Sequence, residues 1–363
     1  MQVVDSPSRR GIGPTLSVVG AGVVGLSVAW SAARAGWRVT LHDPAPARGA
    51  SWVAGGMLAP LTEGWPGEES ALALGAESRL RWPAFAAALS EAAGAPSGLG
   101  NAGTLVVGLD GADAGELLVL AEWLAARGRT VNELNRKQLH AREPALAQGI
   151  RHGLDVPGDL AVDNRVLLAA LQAACAGAGV QLVAEAVTEF GALDAEQVVL
   201  AAGVGSAALC PALPVRPVKG EILRLRHRAG VLPAPGTTVR GVVHGRHVYL
   251  VPRADGVVVG ATQYEVGDDR EVTVGGVRDL VADAEAVLPS IAEYGLTEAI
   301  AGLRPMTPDN LPLIGRIDER TVVATGHGRN GILLAPLTAD AVLAELQASP
   351  LPELAAAQPR RFA

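Results

Sequence analysis

The chain has 363 residues, of which 49% are hydrophobic and 18% are charged, and its formal net charge is −7. This length and apolar content predict a protein of two or three domains with a large core. The net negative charge argues against a nucleic-acid partner, and the sequence shows no basic stripe or aromatic–basic patch. Two cysteines, Cys175 and Cys210, are too few for a disulfide framework or a cysteine-based metal site. No uninterrupted apolar stretch is long enough to span a bilayer, so we expect a soluble, cytoplasmic protein without a membrane partner.

The N-terminal region reads as one strand–helix–strand unit. A buried strand is predicted over 15–19, a helix over 26–35 and a second strand over 38–42. Between the first strand and the helix stands Gly20-Ala-Gly-Val-Val-Gly25, and Asp43 follows about 20 residues later. Glycines in this spacing allow a tight turn, close approach of the backbone to a pyrophosphate, and helix–strand packing. The acidic residue would accept from a ribose 2′-hydroxyl, so the unit predicts a dinucleotide site.

Further elements follow along the chain. Helices are predicted over 71–93, 115–126, 136–143, 164–178 and 276–288. Strands are predicted over 103–109, 180–187, 197–206, 218–227, 239–251 and 257–262. A turn at Ala254-Asp-Gly256 signals a hairpin between the last two strands. Because the strand-rich block 215–275 lies between two α/β segments, the predicted fold class is α/β. A Rossmann-like domain would be interleaved with an α+β domain built on an antiparallel sheet.

Two arginines near the C-terminus, Arg304 and Arg329, stand in apolar segments that glycine and proline interrupt. A guanidinium can hold a carboxylate with two parallel hydrogen bonds, so both arginines are predicted to bind an anion. A helix that starts at Gly331 would direct its N–H groups and dipole at a negative or electron-rich ligand. The two segments therefore predict a carboxylate substrate beside the polar edge of a cofactor.

The sequence offers no protein group suited to difficult chemistry on its own. It has no recognisable Ser/His/Asp arrangement, no paired catalytic carboxylates and no His/Cys cluster with metal-ligand spacing, so no metal is predicted. This pattern suits a reaction in which a bound cofactor carries the chemistry and the protein supplies position.

Ten segments carry a family resemblance, and they occur in the family's order over nearly the whole chain. They are Gly20-Ala-Gly-Val-Val-Gly25 with Asp43, Ala50-Ser51, Gly55-Gly-Met57, Val162-Asp-Asn-Arg165, Val199-Leu-Ala-Ala-Gly203, Pro217-Val-Lys-Gly-Glu221, Tyr249-Leu-Val-Pro252, Gly260-Ala-Thr262, Gly302-Leu-Arg-Pro305 and Gly326-His-Gly-Arg-Asn-Gly-Ile-Leu-Leu-Ala-Pro336. This set resembles the amino-acid-oxidising flavoproteins of the D-amino-acid oxidase type and, within them, the glycine oxidases of thiamine biosynthesis.

The resemblance implies a two-domain protein that binds FAD noncovalently. The FAD-binding domain would comprise 1–87, 154–210 and 302–363, and the substrate-binding domain 88–153 and 211–301. The cofactor residues that it implies are Gly20, Gly22, Val23, Val24 and Gly25 at the pyrophosphate, Asp43 and Pro44 at the adenosine ribose, Val187 at the adenine, Ala50, Ser51, Gly55, Gly56, Met57 and Gly203 toward the flavin, and His327, Gly328, Arg329, Asn330, Gly331, Ile332 and Leu333 along the isoalloxazine edge.

The resemblance also implies the substrate side of the site. Arg304 matches the arginine that pairs with the substrate carboxylate, Tyr249 matches a tyrosine facing the substrate, and Arg329 matches a further substrate-side residue. The implied reaction converts glycine to its imine, which hydrolyses to glyoxylate and ammonia or passes to the thiazole synthase, while O₂ becomes H₂O₂. A homotetramer is implied as well.

Several alternatives stay open at this point. Gln263 stands where some family members have an apolar wall residue, so sarcosine or a small D-amino acid could be the substrate, and a dehydrogenase could replace the oxidase. Covalent attachment of flavin through a cysteine is disfavoured, because both cysteines lie far in sequence from 326–336. Outside the class, an NAD(P)-dependent dehydrogenase or a non-catalytic dinucleotide-binding protein could carry the same glycine motif.

Overall fold

The structure, a computed structural model, describes residues 13–100 and 102–362. The first twelve residues of the predicted FAD-binding domain lie outside the described residues. The strands of the described part are β1 (Thr15–Val19), β2 (Arg38–His42), β3 (Met57–Leu58), β4 (Leu99–Gly100), β5 (Thr104–Gly108), β6 (Asn132–Asn135), β7 (His152–Val156), β8 (Leu160–Val162), β9 (Gln181–Val183), β10 (Gln197–Leu200), β11 (Arg216–Arg226), β12 (Thr238–Val243), β13 (Arg246–Arg253), β14 (Gly256–Gly260), β15 (Gly295–Met306), β16 (Leu313–Arg316) and β17 (Thr321–Thr325). Its α-helices are α1 (Val23–Arg34), α2 (Ala50–Val53), α3 (Glu69–Ala93), α4 (Gly111–Ala125), α5 (Arg136–Arg142), α6 (Asn164–Gly177), α7 (Ser206–Leu209), α8 (Val274–Val287) and α9 (Ala335–Leu346).

A six-stranded sheet forms the Rossmann-like part, in the order β16-β17-β10-β1-β2-β9. Strand β1 is parallel to both β2 and β10, and β10 is parallel to β17. Strands β1, β2 and β10 are rich in buried aliphatic residues, which contribute to two separate apolar clusters, as expected of a parallel sheet that is covered on both faces. Their carboxyl ends lie at one edge, which is where open α/β sheets bind ligands.

An eight-stranded sheet forms the second part, in the order β15-β11-β14-β13-β12-β5-β7-β6. Its pairings are antiparallel except for β5 with β12. Helix α8 covers one face, and its buried Leu280, Ala284 and Val287 belong to the same apolar cluster as Leu250 of β13 and Val259 of β14. A three-stranded sheet, β3-β8-β4, completes the described strands.

The predicted fold class, a Rossmann-like part interleaved with an antiparallel-sheet part, is confirmed. The predicted domain boundaries stay a prediction, and strand β15 runs across the one at 301/302. Among the described residues, no helix combines the length and the apolar character that crossing a membrane requires.

Four predicted elements were wrong in extent; one is the strand predicted over 197–206, which ends at Leu200 before a 3₁₀ turn over Gly203–Gly205. The strand predicted over 239–251 is two strands, because His244 and Gly245 adopt positive φ angles of 50° and 75° and reverse the chain. The strand predicted over 180–187 ends at Val183. The helix predicted from Gly331 begins at Ala335, after a 3₁₀ turn over Gly328–Asn330.

Candidate active site

The N-terminus of α1 stands at the carboxyl edge of the six-stranded sheet. Gly20 has a φ of +103°, and a Cβ on Gly25 would overlap the carbonyl oxygen of Gly20. No side chain of the preceding Gly22 can cap the helix, and its first turn carries no acidic residue. The Oγ of Ser51 accepts from Val23 N at 3.1 Å. The other N–H groups of this turn are open to an anionic group, as at the pyrophosphate sites of dinucleotide-binding proteins.

Asp43 closes the same end of the site. Its Oδ2 accepts from Ala21 N at 2.7 Å and its Oδ1 accepts from Ala45 N at 2.8 Å, so the carboxylate is fixed against the loop that follows β1. Each oxygen retains a lone pair, which suits a ribose hydroxyl.

One cavity of about 1110 Å³ extends from this end toward the eight-stranded sheet. Its volume lies just above the usual range for small-molecule sites, about 300–1,000 Å³. The predicted site residues that line it are Gly20, Gly22, Val23, Val24, Asp43, Pro44, Ala50, Ser51, Gly55, Gly56, Met57, Val187, Gly203, Tyr249, Arg304, His327, Gly328, Arg329, Gly331 and Ile332.

Three predicted cofactor residues do not line the cavity: Gly25, Asn330 and Leu333. Gly25 packs against Gly20 from inside the turn, so it acts on the site through the shape of the backbone. Leu333 is buried, and its carbonyl accepts from Ser78 Oγ at 2.6 Å and from Trp82 Nε1 at 2.9 Å.

Two glycines allow the loop after α2 to pass close to other parts of the protein. A Cβ on Gly55 would lie 2.6 Å from Cε2 of Tyr249, and a Cβ on Gly56, which has a φ of +80°, would overlap the carbonyl of Val162. Tyr249 belongs to the eight-stranded sheet, so this contact is where the two parts meet in the cavity wall.

Arg304 is a guanidinium without a carboxylate partner. It lies flat on the backbone of Gly220, where any Cβ would overlap the guanidinium. Its Nη1 donates to Thr262 O at 3.1 Å and more weakly to Lys219 O at 3.4 Å. Within residues 13–100 and 102–362, no carboxylate oxygen lies within 4.0 Å of its nitrogens. Burial lowers its pKa, although a guanidinium stays protonated at any physiological pH. The group is thus a partly buried positive charge that faces the cavity.

Tyr249 lines the cavity beside Arg304. Burial raises the pKa of its phenol, so the hydroxyl keeps its proton and can donate a hydrogen bond at neutral pH. Its position depends on Gly260, which is its partner in the β13–β14 pairing and carries no Cβ that would overlap the ring.

Arg329 is engaged by an acidic side chain, in contrast to Arg304. Its Nη2 lies 2.6 Å from Glu68 Oε2 and donates to Glu63 O at 3.1 Å. The Arg329 side chain is 39% exposed. Its predicted substrate-side role stays a prediction, because Glu68 already supplies the negative charge that a substrate carboxylate would bring.

We expect Arg329→Met to change the KM for the amino-acid substrate by less than about fivefold, because a partly exposed ion pair contributes only about 0–1 kcal/mol. Steady-state kinetics on Arg329→Met and Arg304→Met, prepared in parallel, measure the difference. Equal effects of the two substitutions would show that Arg329 holds the substrate despite its pairing with Glu68.

His327 is buried next to the cavity. Its Nε2 lies 3.0 Å from Thr338 Oγ1. Burial lowers its pKa to about 3, so the ring is neutral at physiological pH. It therefore supplies packing and a hydrogen bond instead of a positive charge.

The titration of His327 predicts a pH dependence of stability. The unfolded pKa is 6.5 and the folded value is about 3, so between these values the unfolded chain binds one more proton. This contribution is fully present above 6.5 and is lost as the pH falls, with a limiting slope of about 1.4 kcal/mol per pH unit. His327→Gln keeps a hydrogen-bond partner for the Thr338 hydroxyl and removes the group that titrates. The free-energy advantage of the unsubstituted protein over this variant should shrink between about pH 6.5 and pH 4.

Urea unfolding across that range measures the difference. The comparison with the variant is needed because burial raises the pKa of Asp159 to about 7, which gives the opposite slope in both proteins. A difference that is independent of pH would show that His327 is not held neutral by the fold.

Seven charged or titratable residues that line the cavity were not predicted as site residues from the sequence: His42, Glu63, Glu68, Glu116, Arg240, His247 and Arg270. Arg240 Nη1 lies 3.2 Å from Glu63 Oε1, and His247 Nε2 lies 3.2 Å from Glu116 Oε1. Burial lowers the pKa of His247. The alternation of side chains along strands could have predicted two of these residues. His247 lies on the same face of β13 as Tyr249, and Arg240 of β12 is the pairing partner of Tyr249. Gln263, the predicted polar departure, also lines the cavity.

Comparisons with known proteins agree with this geometry. The family model described as "FAD dependent oxidoreductase" (DAO) matches residues 16–346. The glycine oxidase of Geobacillus kaustophilus is 32% identical over 347 residues, which cover 89% of this chain and 90% of that protein. A crystal structure of glycine oxidase from the same organism superimposes with a TM-score of 0.87 at 31% identity, covering 95% of this chain and 98% of that one. The bifunctional protein ThiO/ThiG of Trichormus variabilis is 32% identical over 340 residues, which cover 89% of this chain.

The chain belongs to the DAO family of FAD-dependent oxidoreductases. It spans about half of the length of the ThiO/ThiG relative, of which 51% is covered.

The geometry and chemistry of the residues that line the cavity fit FAD. A Cβ on Gly22, which lines the cavity, would meet only Ser51 Oγ within 4 Å, so it would extend into ligand space. The first turn of α1 carries no acidic residue, and the carboxylate of Asp43 keeps lone pairs that can accept from a hydroxyl. Toward the second sheet the lining becomes Gly55, Gly56 and Ile332, where a flat ring system can pack. We conclude that the cavity can hold both the dinucleotide end and the flavin end of one FAD.

Proposed function

We propose that this chain oxidises glycine with FAD and O₂, giving the imine, which hydrolyses to glyoxylate and ammonia, together with H₂O₂. The observation that carries the proposal is Arg304, a partly buried guanidinium that faces the cavity beside Tyr249 and has no carboxylate partner among the described residues. Such a charge matches the carboxylate of a small amino acid. The name of the Geobacillus kaustophilus relative, glycine oxidase, supports the choice of substrate.

The protein's part in this reaction is to bind and orient. Residues of the cavity wall from Gly20 to Ile332 would hold FAD, which would supply a two-electron acceptor for the hydride equivalent of the substrate Cα and a route for the electrons to O₂. Arg304 holds the carboxylate, which leaves the Cα facing the flavin-side wall, and the neutral Tyr249 hydroxyl can donate to a substrate oxygen. Orientation of this kind can lower a barrier by about 7–11 kcal/mol at its upper limit. The substrate amine must be neutral to lose hydride, so activity should rise on the alkaline side.

We propose that FAD is bound noncovalently. Neither Cys175 nor Cys210 lines the cavity, so no cysteine of the described residues stands where a thioether to the flavin could form. Denaturation in acid followed by filtration should release all the yellow colour, whereas colour retained with the protein would overturn this point.

The substrate within the class is decided by experiment. A panel of glycine, sarcosine and small D-amino acids, each assayed for H₂O₂, should give the highest kcat/KM with glycine. Highest activity with sarcosine would instead identify a sarcosine oxidase. The polar Gln263 in the cavity wall is the structural argument for that alternative. Reduction by glycine without H₂O₂ formation would make the protein a dehydrogenase.

We propose further that the imine supplies thiazole formation in thiamine biosynthesis. The ThiO/ThiG relative, in which a ThiO part is joined to ThiG in one chain, supports this role. The proposed partner is the thiazole synthase, and the proposed location is the cytoplasm. The homotetramer stays a prediction, which sedimentation analysis of the purified protein would test.

A further inference from the structure

The Val162-Asp-Asn-Arg165 segment lies behind the flavin-side wall of the cavity. Asn164 is fully buried, and its Nδ2 donates to Ser51 O at 2.9 Å and to Trp52 O at 2.8 Å. Its Oδ1 accepts from Arg224 Nη2 at 3.0 Å. Two carbonyls on one side and an arginine on the other fix the orientation of this amide, and both of its donor hydrogens are used.

The backbone that Asn164 holds belongs to the cavity wall. Ala50, Ser51, Gly55 and Gly56 line the cavity, whereas Asn164 does not. The same stretch reaches both ends of the site, because Ser51 Oγ bonds the first residue of α1 and Gly55 packs against Tyr249.

Arg253 holds the other end of this stretch. Its Nη2 donates to Gly55 O at 2.7 Å, and its Nε lies 3.4 Å from Asp163 Oδ2. Arg253 is four residues beyond Tyr249 on β13, so a strand of the eight-stranded sheet supports a loop of the Rossmann-like part. Three carbonyls between residues 51 and 55 are therefore held by two side chains that do not line the cavity.

Bringing several arginine side chains together behind residues 51–56 costs electrostatic and desolvation free energy. Arg224 and Arg253 are both largely buried, and burial, together with the nearby Arg165 and Arg253, lowers the pKa of Arg224 to about 10. Two carboxylates, Asp163 and Glu298, partly balance them. A buried ionic cluster is weak support for stability in general, so its specific hydrogen bonds to Asn164 and Gly55 are its clearest structural effect.

We propose that Asn164, held by Arg224, is a positioning residue that together with Arg253 presets residues 51–56 for FAD and so sets the affinity for the cofactor. The inference rests on the proposed FAD-dependent function. A loop already held in its bound conformation loses less conformational entropy when the ligand binds, and that difference appears directly in the dissociation constant.

The test is FAD binding by the deflavinated protein, measured by fluorescence titration. Asn164→Asp has the same shape but replaces both donors by an oxygen that faces two carbonyls. We expect it to raise the Kd for FAD at least about tenfold, a change of about 1.4 kcal/mol, which is within the cost of leaving buried groups unpaired. At saturating FAD, the KM for glycine should change by less than about threefold, because Arg304 is untouched.

Arg253→Lys is a second variant, which keeps the positive charge but loses the planar set of guanidinium N–H donors. It tests the same inference if Asn164→Asp does not fold. It too should weaken FAD binding. Asp283→Asn is the control: it makes the reverse isosteric exchange at another buried side chain, the partner of Arg246, outside the cavity wall. The control is expected to lower the thermal midpoint of the apoprotein and leave the Kd for FAD unchanged.

Two results would overturn the inference, and only one of them would also overturn the proposed function. If the unsubstituted protein binds FAD and both variants bind it equally well, residues 51–56 need no support and only the inference is wrong. If the unsubstituted protein does not bind FAD at all, the proposed function is wrong and the inference with it.

Discussion

Arg304→Met is expected to abolish tight binding of glycine while FAD stays bound. Truncating one partner of a buried, hydrogen-bonded charge pair costs about 2–5 kcal/mol, which corresponds to a loss of about thirtyfold to several thousandfold in kcat/KM. Most of the loss should appear as a raised KM, because the carboxylate is held equally in the ground state and the transition state. Steady-state kinetics with glycine and titration with FAD measure the two parts separately.

Two controls accompany this substitution. Arg304→Lys keeps the charge but loses the bidentate geometry, so it should recover only part of the affinity. Arg320→Met removes another guanidinium that bonds backbone carbonyls, those of Gly191, Leu193 and Ala195, at a place outside the cavity wall. It is expected to leave the KM unchanged. An unchanged KM in Arg304→Met would show that the carboxylate binds elsewhere.

The second large effect is expected from Gly25→Ala. The new Cβ would overlap the carbonyl oxygen of Gly20, and the neighbouring backbone leaves little space to relieve the clash, since Gly20 itself abuts the carbonyl of Ala201. The turn before α1 must then open, which moves the free N–H groups away from the pyrophosphate. We expect the variant to lose FAD, to purify colourless, and to be less stable by several kcal/mol.

Gly115→Ala on α4 is the matched control for this substitution. A Cβ at that position meets no atom within 4 Å, and Gly115 does not line the cavity. Alanine in place of a helical glycine should stabilise the protein by about 0.5–1 kcal/mol and leave FAD binding intact. Normal FAD binding in Gly25→Ala would contradict the role assigned to this turn.

The fold was predictable where local sequence dictates backbone conformation. The glycines at 20, 22 and 25 require a specific turn, and Asp43 lies at a fixed distance after them, so the β1–α1–β2 unit followed from the sequence. The β12–β13 turn did not, because residues 239–251 read as one strand, and only the positive φ angles of His244 and Gly245 divide it.

The site was predictable for side chains that stand in motifs and unpredictable for their partners. The sequence predicted that both Arg304 and Arg329 lie on the substrate side of the site, and it did not show how each is paired. Their difference depends on Glu68, which is 261 residues away from Arg329 in the chain, and on Gly220, whose missing side chain makes room for the Arg304 guanidinium. Such contacts arise from tertiary packing, and no spacing rule within one element reports them.

Anaerobic mixing of the purified yellow protein with glycine tests the central claim most directly. We expect the visible absorption of the oxidised flavin to bleach, and we expect admission of O₂ to restore it with formation of H₂O₂. A colourless protein that binds NADH, or a yellow protein that glycine does not bleach, would contradict FAD-dependent oxidation of glycine by this chain.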